Sequence, residues 1–342
     1  PGGAGGAAGG RAVTAAGADL GAWGQEAVLR RVEEGLRTGA SQRTLLFSGP
    51  DGVGRRRAAR WLCAYLNCLG AEGARPCGEC ASCAAVAVGR SLDYKEVAPA
   101  ATAKSGRAKL RAEIGIDQLV PRGTPGADPD PLGPWLAARP HGRFRVGVID
   151  EAHAMNVHAA NSFLKTLEEP PPHAYVVLVA PGPEALLPTV ASRALNLRFG
   201  AVPAEAPDMP DHPGVRLGQP GLVERARENR AATDEARAAA EAFLASVEGD
   251  MLHALEGAED LAKAVAAAHD AGAEPGPTGW LRELLRRLPP RRYAAALELL
   301  DDHEAALAAY ANASLASATL ALRLRALMQG RDDGPPMRSL AG

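Results

Sequence analysis

The sequence predicts a parallel α/β sheet covered by helices on both faces, followed by an all-α region. Three observations carry that expectation. Strand-like stretches at 44–48, 144–151, 175–180 and 195–199 alternate with stretches of helical periodicity, and several of them are continuous apolar runs, as strands buried on both sides require. The first run passes directly into a glycine-rich turn and then a helix. Beyond Pro203 no convincing strand pattern recurs, and long Ala/Leu helices take over.

Taken in order, residues 1–19 are Gly/Ala-rich with no apolar periodicity and read as a flexible tail; the chain opens without an initiator Met, which points to processing or to a trimmed chain. Ala27, Val28, Val32 and Leu36 mark one face of a helix over 20–36. The strand at 44–48, the glycine loop and an arginine-rich helix over 55–69 follow. Residues 94–97 form a short strand, and 99–112 are polar and basic without a clear share in a core. At 114–119 a strand end passes into a helix, with Asp117 as its expected N-cap. Residues 121–134 are rich in Pro and Gly and predict a loop. The strand at 144–151 ends in two carboxylates, Asp150 and Glu151. A helix at 157–169 stops at Pro170-Pro171-Pro172, and a short helix near 184–190 leads to Ser192-Arg193. The Pro-bearing segment 203–230 predicts a small helical lid. Residues 231–342 predict an all-α bundle whose helices break at 273–278 and at Pro289-Pro290.

Composition bounds the function. The chain has 342 residues, enough for two or three domains with real cores, and a formal net charge of −2, so no global basic field announces nucleic acid. Aromatics make up only 4% while alanine and arginine abound, which fits Ala-rich packed helices and also genomic base bias. No signal peptide and no apolar run of about 18 residues is present, so a soluble, cytoplasmic protein is expected. Five cysteines, an odd number, are bunched between 63 and 83, which suits a metal site in a reducing compartment better than a disulfide framework.

Within that cluster Cys68-x8-Cys77-x2-Cys80-x2-Cys83 supplies four thiolates on two tight loops. Four soft ligands suit a closed tetrahedral Zn²⁺ with no open position for catalysis, so the expected ion is structural, and Cys63 is expected to be packed rather than ligating. The glycine loop carries Gly49, Gly52 and Gly54 in the arrangement of a phosphate cradle. Asp150 and Glu151 stand where an NTPase would hold Mg²⁺ and orient water. The working end of the cradle is nonetheless replaced. Arg55 occupies the position of the lysine that reaches the β/γ-phosphates, and Arg56 that of the hydroxyl that ligates Mg²⁺. A degenerate nucleotide site follows, in which hydrolysis is not expected. Ser192-Arg193 admits two readings, a solvated or salt-bridged arginine and an arginine finger given to a neighbour's ATP; spacing does not choose between them.

These stretches resemble bacterial clamp-loader subunits of the AAA+ class. The resemblance rests on 46–54, the four cysteines, 116–118, 148–153, 161–170 and 187–193, six motifs in order across about residues 20–200. It implies a RecA-like sheet domain over 20–202 with a zinc module at 68–83, a helical lid over 203–230 and a C-terminal collar over 231–342 that holds a loader ring together. Within that family the gamma/tau motor subunits carry an intact Gly-Lys-Thr loop, whereas delta-prime often does not and hydrolyses no ATP. Arg55 and Arg56 therefore point toward delta-prime. The resemblance further implies gamma/tau and delta subunits as partners, with sliding clamp and primer-template DNA met through the assembled complex, no membrane, and no bound nucleotide. It gives Arg193, with Ser192, the role of a trans arginine finger. Ala194 stands where that family's motif has Cys, and 121–134 interrupts what is usually a continuous helix. Asp150 and Glu151 are retained beside the altered loop, where pairing with Arg55 or Arg56 would give them a structural use. Two alternatives of other classes stand beside this reading: an active AAA+ motor using Arg55 as its lysine, and an independent zinc-dependent nucleic-acid-binding module, which near-neutral charge and sparse aromatics near the cysteines disfavour.

Overall fold

The computed structural model of the chain describes residues 20, 24–39, 42–102, 108–121, 129–202, 211–273, 275–308 and 312–330. The expected tail at 1–19, part of the expected loop at 122–128, the first residues of the expected lid at 203–210 and the C-terminal stretch 331–342 lie outside the described residues. The fold divides into two compact units between Val202 and Pro203.

In the first unit the chain runs α1 (Glu26–Arg37), β1 (Thr44–Ser48), α2 (Arg55–Asn67), α3 (Ala81–Ala87), β2 (Tyr94–Val97), β3 (Ala100–Thr102), β4 (Ala108–Glu113), α4 (Ile116–Leu119) and α5 (Leu132–Ala137). It continues through β5 (Arg145–Ile149), α6 (Val157–Glu168), β6 (Ala174–Ala180), α7 (Pro188–Ala191) and β7 (Leu195–Arg198). Five strands form one sheet in the order β2-β5-β6-β1-β7, and every pairing within it is parallel. The expected parallel α/β architecture is thus what the chain adopts. Alternate residues along each strand feed different cores. Leu45, Phe47, Val146, Val148, Val177 and Val179 pack with α2 on one face. Leu46, Ile149, Val176 and Leu178 pack with Phe163 of α6 on the other. Period-2 alternation inside an unbroken apolar run is what a doubly covered sheet requires. Each such side chain contributes about 1.5–3 kcal/mol on burial.

Over 99–112, β3 and β4 pair antiparallel. Two local expectations are corrected. Asp117 is not the N-cap; Gly115 is, with the Gln118 side chain accepting the Gly115 N–H at 2.9 Å and Asp117 one position inside the first turn. The expected loop at 121–134 gives way at Leu132 to α5, whose Leu132 and Leu136 are buried in the sheet core. The approach to β5 is fixed by buried polar groups. Asp93 accepts the N–H groups of His141 and Gly142, and Asn67 accepts those of Arg143 and Phe144. Arg145 donates to the carbonyls of Trp135 and Arg139.

The second unit is helical throughout its described residues: α8 (Pro213–Arg216), α9 (Pro220–Glu228), α10 (Arg230–Glu248), α11 (Met251–Asp270), α12 (Pro277–Leu284), α13 (Pro290–Ala308) and α14 (Ala313–Met328). Helices α8, α9, α12 and α13 each begin at a proline, whose missing N–H costs nothing at that position. The break between α10 and α11 comes at Gly249-Asp250, where the Asp250 carboxylate caps the His253 N–H at 2.9 Å. Phe243, Leu261, Leu281, Leu300, Leu320 and Leu324 form the shared core. His212 meets Trp280 of α12 edge-on at 5.6 Å, and Arg216 pairs with Glu283. The segment expected as a lid and the helices expected as a collar therefore fall in one unit. Among the described residues no helix is long and apolar enough to cross a membrane.

His303 of α13 is fully buried in this bundle, and burial lowers its pKa below the ordinary 6.5 although Glu304 pulls the other way. A lowered folded pKa means that below about pH 6.5 the unfolded chain takes up a proton the folded bundle resists. Stability is therefore expected to fall as pH drops from about 6.5 and to level off beneath the folded pKa. His303→Leu should flatten that slope in thermal unfolding between about pH 7 and about pH 5; an unchanged slope would show that His303 does not titrate in this window.

Candidate functional site

The loop 49–54 leaves the C-terminal end of β1, the edge at which open parallel sheets gather their ligands. Its backbone is tightly held. Gly49 has φ 145°, and a Cβ there would sit 2.2 Å from the Phe199 carbonyl oxygen, so only glycine fits. Gly52 and Gly54 also take positive φ, 72° and 93°, and Gly54 opens α2 in the left-handed region. Val53 is fully buried; the buried Gln25 side chain donates to the carbonyls of Val53 at 3.2 Å and Gly200 at 2.6 Å.

The two arginines that follow are both committed within the chain. Arg55, 9% exposed, donates to the Ala180 carbonyl at the end of β6 at 2.6 Å and to Asp51 of the loop at 2.7 Å. Arg56 lies between two carboxylates, 2.5 Å from Glu96 and 3.3 Å from Asp150. Glu96 belongs to β2 and Asp150 follows β5; the parallel pairing of these neighbours brings the two acids together. Tyr94 donates to the other Glu96 oxygen at 3.1 Å, and the Glu151 N–H donates to Asp150 at 3.1 Å. Burial raises the Asp150 pKa and Arg56 draws it back only in part. Burial would lower the Arg56 pKa, but Glu96 and Asp150 outweigh it and leave it raised. The guanidinium therefore stays charged and balances a half-buried acidic pair.

Glu151 is, among the described residues, the non-glycine with positive φ, at 48°, and its side chain is exposed. Such backbone strain persists where surrounding structure fixes it. The structure thus brings Arg56 to Asp150, puts Arg55 on Ala180 and Asp51, and leaves Glu151 on the surface. Glu96 was missed by sequence reasoning. The short strand at 94–97 was legible, but only the strand order reveals that its acid adjoins Asp150.

Ser192 and Arg193 follow α7. The Arg193 guanidinium contacts Glu168, at the end of α6, at 3.3 Å and the Thr189 carbonyl at 2.8 Å. The Ser192 hydroxyl donates to the same carbonyl at 3.3 Å, and Gln42 donates to the Arg193 carbonyl at 2.5 Å.

The cysteine cluster is a separate centre. The Sγ atoms of Cys68, Cys77, Cys80 and Cys83 all lie within 4.8 Å of one another. A tetrahedral Zn²⁺ with Zn–S near 2.3 Å needs sulfurs about 3.8 Å apart, so a small contraction closes the set. Backbone N–H groups already point at the sulfurs: those of Gly70 and Cys77 at Cys68, of Cys80 at Cys77 and of Cys83 at Cys80. Amide donors of this kind stabilise thiolates. Backbone donors from Glu79 and Cys80 lower the Cys77 pKa. At Cys80 burial pushes upward, yet donors from Leu69 and Cys83 prevail and bring it down to about 6. The residues fit a zinc ion, and such an ion would supply structural cross-linking rather than chemistry. Cys63 stands outside the set, wholly buried, with its pKa pushed up to about 12 by burial.

Comparison with known proteins locates this geometry. A family model described as DNA polymerase III, delta subunit, matches residues 24–203. DNA polymerase III subunit tau of Salmonella typhimurium is 35% identical over 182 residues, 53% of this chain and 25% of that protein. DNA polymerase III subunit gamma/tau of Mycobacterium tuberculosis is 33% identical over 185 residues, 53% of this chain and 28% of that protein. The chain thus spans about a quarter of the length of the curated relatives it matches. A gamma subunit-related protein from Thermotoga maritima superposes with a TM-score of 0.46 at 17% identity, over 89% of this chain and 99% of that one, too loosely to add to the fold described above.

Two outcomes are expected. Metal analysis of the purified chain should find about one zinc per chain, lost in Cys80→Ser; a folded, metal-free protein would defeat the assignment. Arg56→Thr should destabilise the first unit by about 1–2 kcal/mol, because Glu96 and Asp150 then face each other without a cation. Added Mg²⁺ should restore part of the lost melting temperature in the variant and leave the wild type unmoved.

Proposed function

The chain belongs to the DNA polymerase III delta-subunit family, and from that premise we propose that it is a non-hydrolysing clamp-loader subunit of the AAA+ class, of the delta-prime type. Its work is to help assemble the loader ring and to lend Arg193 to the ATP held by a neighbouring gamma/tau subunit. Gamma/tau and delta subunits meet it through the collar and the AAA+ faces. Sliding clamp and primer-template DNA are met through the assembled complex, in the cytoplasm and away from membrane. The zinc module at 68–83 is structural.

One observation carries the non-hydrolysing reading: both arginines that replace the phosphate-binding lysine and the Mg²⁺-binding hydroxyl are occupied inside the protein. Arg55 fills the loop end through Ala180 and Asp51, and Arg56 stands against Asp150 where a cation would sit. A catalytic Mg²⁺ would have to displace a guanidinium from two carboxylates, and Arg56 offers no oxygen to ligate it. Nucleotide is accordingly expected not to bind. Support for the trans role of Arg193 is positional, since it closes the motif at 187–193, just before β7, the last strand of the sheet.

The names of the relatives, tau and gamma/tau, favour a second reading in which this chain is itself a motor subunit. Turnover decides between the two. The purified chain is expected to show no Mg²⁺-dependent ATP hydrolysis, and hydrolysis abolished by Glu151→Gln would establish the motor. In a reconstituted loader, Arg193→Ala should slow single-turnover hydrolysis at the adjoining ATP site by about 10³-fold, whereas an unchanged rate would remove the finger from the account.

A further inference from the structure

An arginine that acts on a neighbour's phosphate is best held in one pose beforehand, because fixing a free side chain costs rotamer freedom. Arg193 is already held. Its Nε is 3.3 Å from a Glu168 oxygen, and its Nη1 donates to the Thr189 carbonyl at 2.8 Å. Its own carbonyl accepts from Gln42 at 2.5 Å. These anchors come from three places in the fold: the end of α6, the helix α7, and the residues leading into β1. They are themselves tied together, since Thr44 at the start of β1 donates to the Leu167 carbonyl, beside Glu168, at 2.7 Å.

The anchors use a particular part of the guanidinium. A guanidinium carries five N–H donors in a rigid plane. Glu168 takes the Nε proton and Thr189 one Nη1 proton, while Nη2 has no partner among the described residues. The end of the fork, the edge that grips a phosphate with two parallel hydrogen bonds, is left open, and the side chain is 30% exposed. A carboxylate that meant to sequester the arginine would take that fork; Glu168 takes the Nε instead.

We propose that Glu168 is a positioning residue for Arg193: its carboxylate, with the Thr189 carbonyl, holds the guanidinium with its terminal edge presented for an anionic phosphoryl group of a neighbouring chain. This rests on the reading of Arg193 as a trans-acting group. Glu168 touches no nucleotide and acts only through the arginine. Glu169, next in the chain and equally acidic, is the natural control, because Arg193 makes no bond to it.

The experiment is a steady-state ATPase measurement on the reconstituted loader with five versions of this chain: wild type, Glu168→Ala, Glu168→Gln, Glu169→Ala and Arg193→Ala. Glu168→Ala is expected to lower kcat at the adjoining site about tenfold with KM for ATP within about twofold. Glu168→Gln should fall between Glu168→Ala and wild type, because the amide oxygen still accepts from Nε without the charge, and Glu169→Ala should match wild type. A purely structural role would instead lower the fraction of assembled loader and leave kcat per assembled complex intact. If Arg193→Ala is slow while both Glu168 variants match wild type or exceed it, the positioning role is wrong and the finger survives. If Arg193→Ala itself matches wild type, the finger reading fails and the positioning role goes with it. Should Glu168→Ala fail to assemble, Glu168→Gln decides alone.

Discussion

Two carboxylates on adjacent parallel strands cannot stay close and ionised without a cation between them, and here the cation is Arg56. Glu96 on β2 and Asp150 after β5 are brought together by strand pairing, not by choice of side chain. In water the pair would repel weakly; partly withdrawn from it, Glu96 adds to the burial that raises the Asp150 carboxyl. Burial is the largest influence on the Asp150 carboxyl, and Arg56 is the largest opposing one. A guanidinium resident in the polypeptide meets that demand permanently. A divalent ion would meet it only when bound, and would then be available for chemistry.

The rest of the first unit can be understood as the frame that makes this arrangement possible. Doubly buried strands fix the sheet, and the sheet fixes where its C-terminal ends lie. Gly49 must be glycine because the chain passes against the Phe199 carbonyl, a demand of backbone packing that holds whether or not a phosphate is ever present. Gln25 then takes the Val53 carbonyl, and Arg55 the Asp51 carboxylate and the Ala180 carbonyl. A phosphate cradle needs backbone N–H groups pointed at an anion and a cation reaching toward it. This loop retains the glycines that shape the turn while its cations are turned to internal partners. Shape and chemistry have parted, which is why glycine spacing alone says little about turnover.

Much of this was legible in the sequence, for identifiable reasons. Strands such as 44–48 and 174–180 announce themselves because burial on both faces demands continuous apolar residues. The cluster of Cys68, Cys77, Cys80 and Cys83 was legible because two-residue gaps bring thiols to one side of a tight turn, and Cys63, five residues earlier in mid-helix, stands outside it. Proline placed the starts of α12 and α13. What escaped depends on tertiary context. The hairpin β3–β4 is short and polar, so no apolar period marks it. Asp117 looked like a cap by residue type, but Gly115 takes the position, its N–H donating to the Gln118 side chain. Glu96 carries no motif; only the order β2-β5 makes it a partner of Arg56. Glu168 likewise becomes a neighbour of Arg193 only when the end of α6 meets the residues after α7.

The central claim is that Arg55 and Arg56 occupy, from within, the places a nucleotide and its metal would need. The most direct measurement is a crystal structure of the chain grown with saturating Mg²⁺ and ATP. The account predicts Arg55 still bonded to the Ala180 carbonyl and Asp51, Arg56 still between Glu96 and Asp150, and no phosphate density against residues 49–54. Magnesium on Asp150 with triphosphate seated in that loop, and both guanidinium groups swung aside, would contradict it.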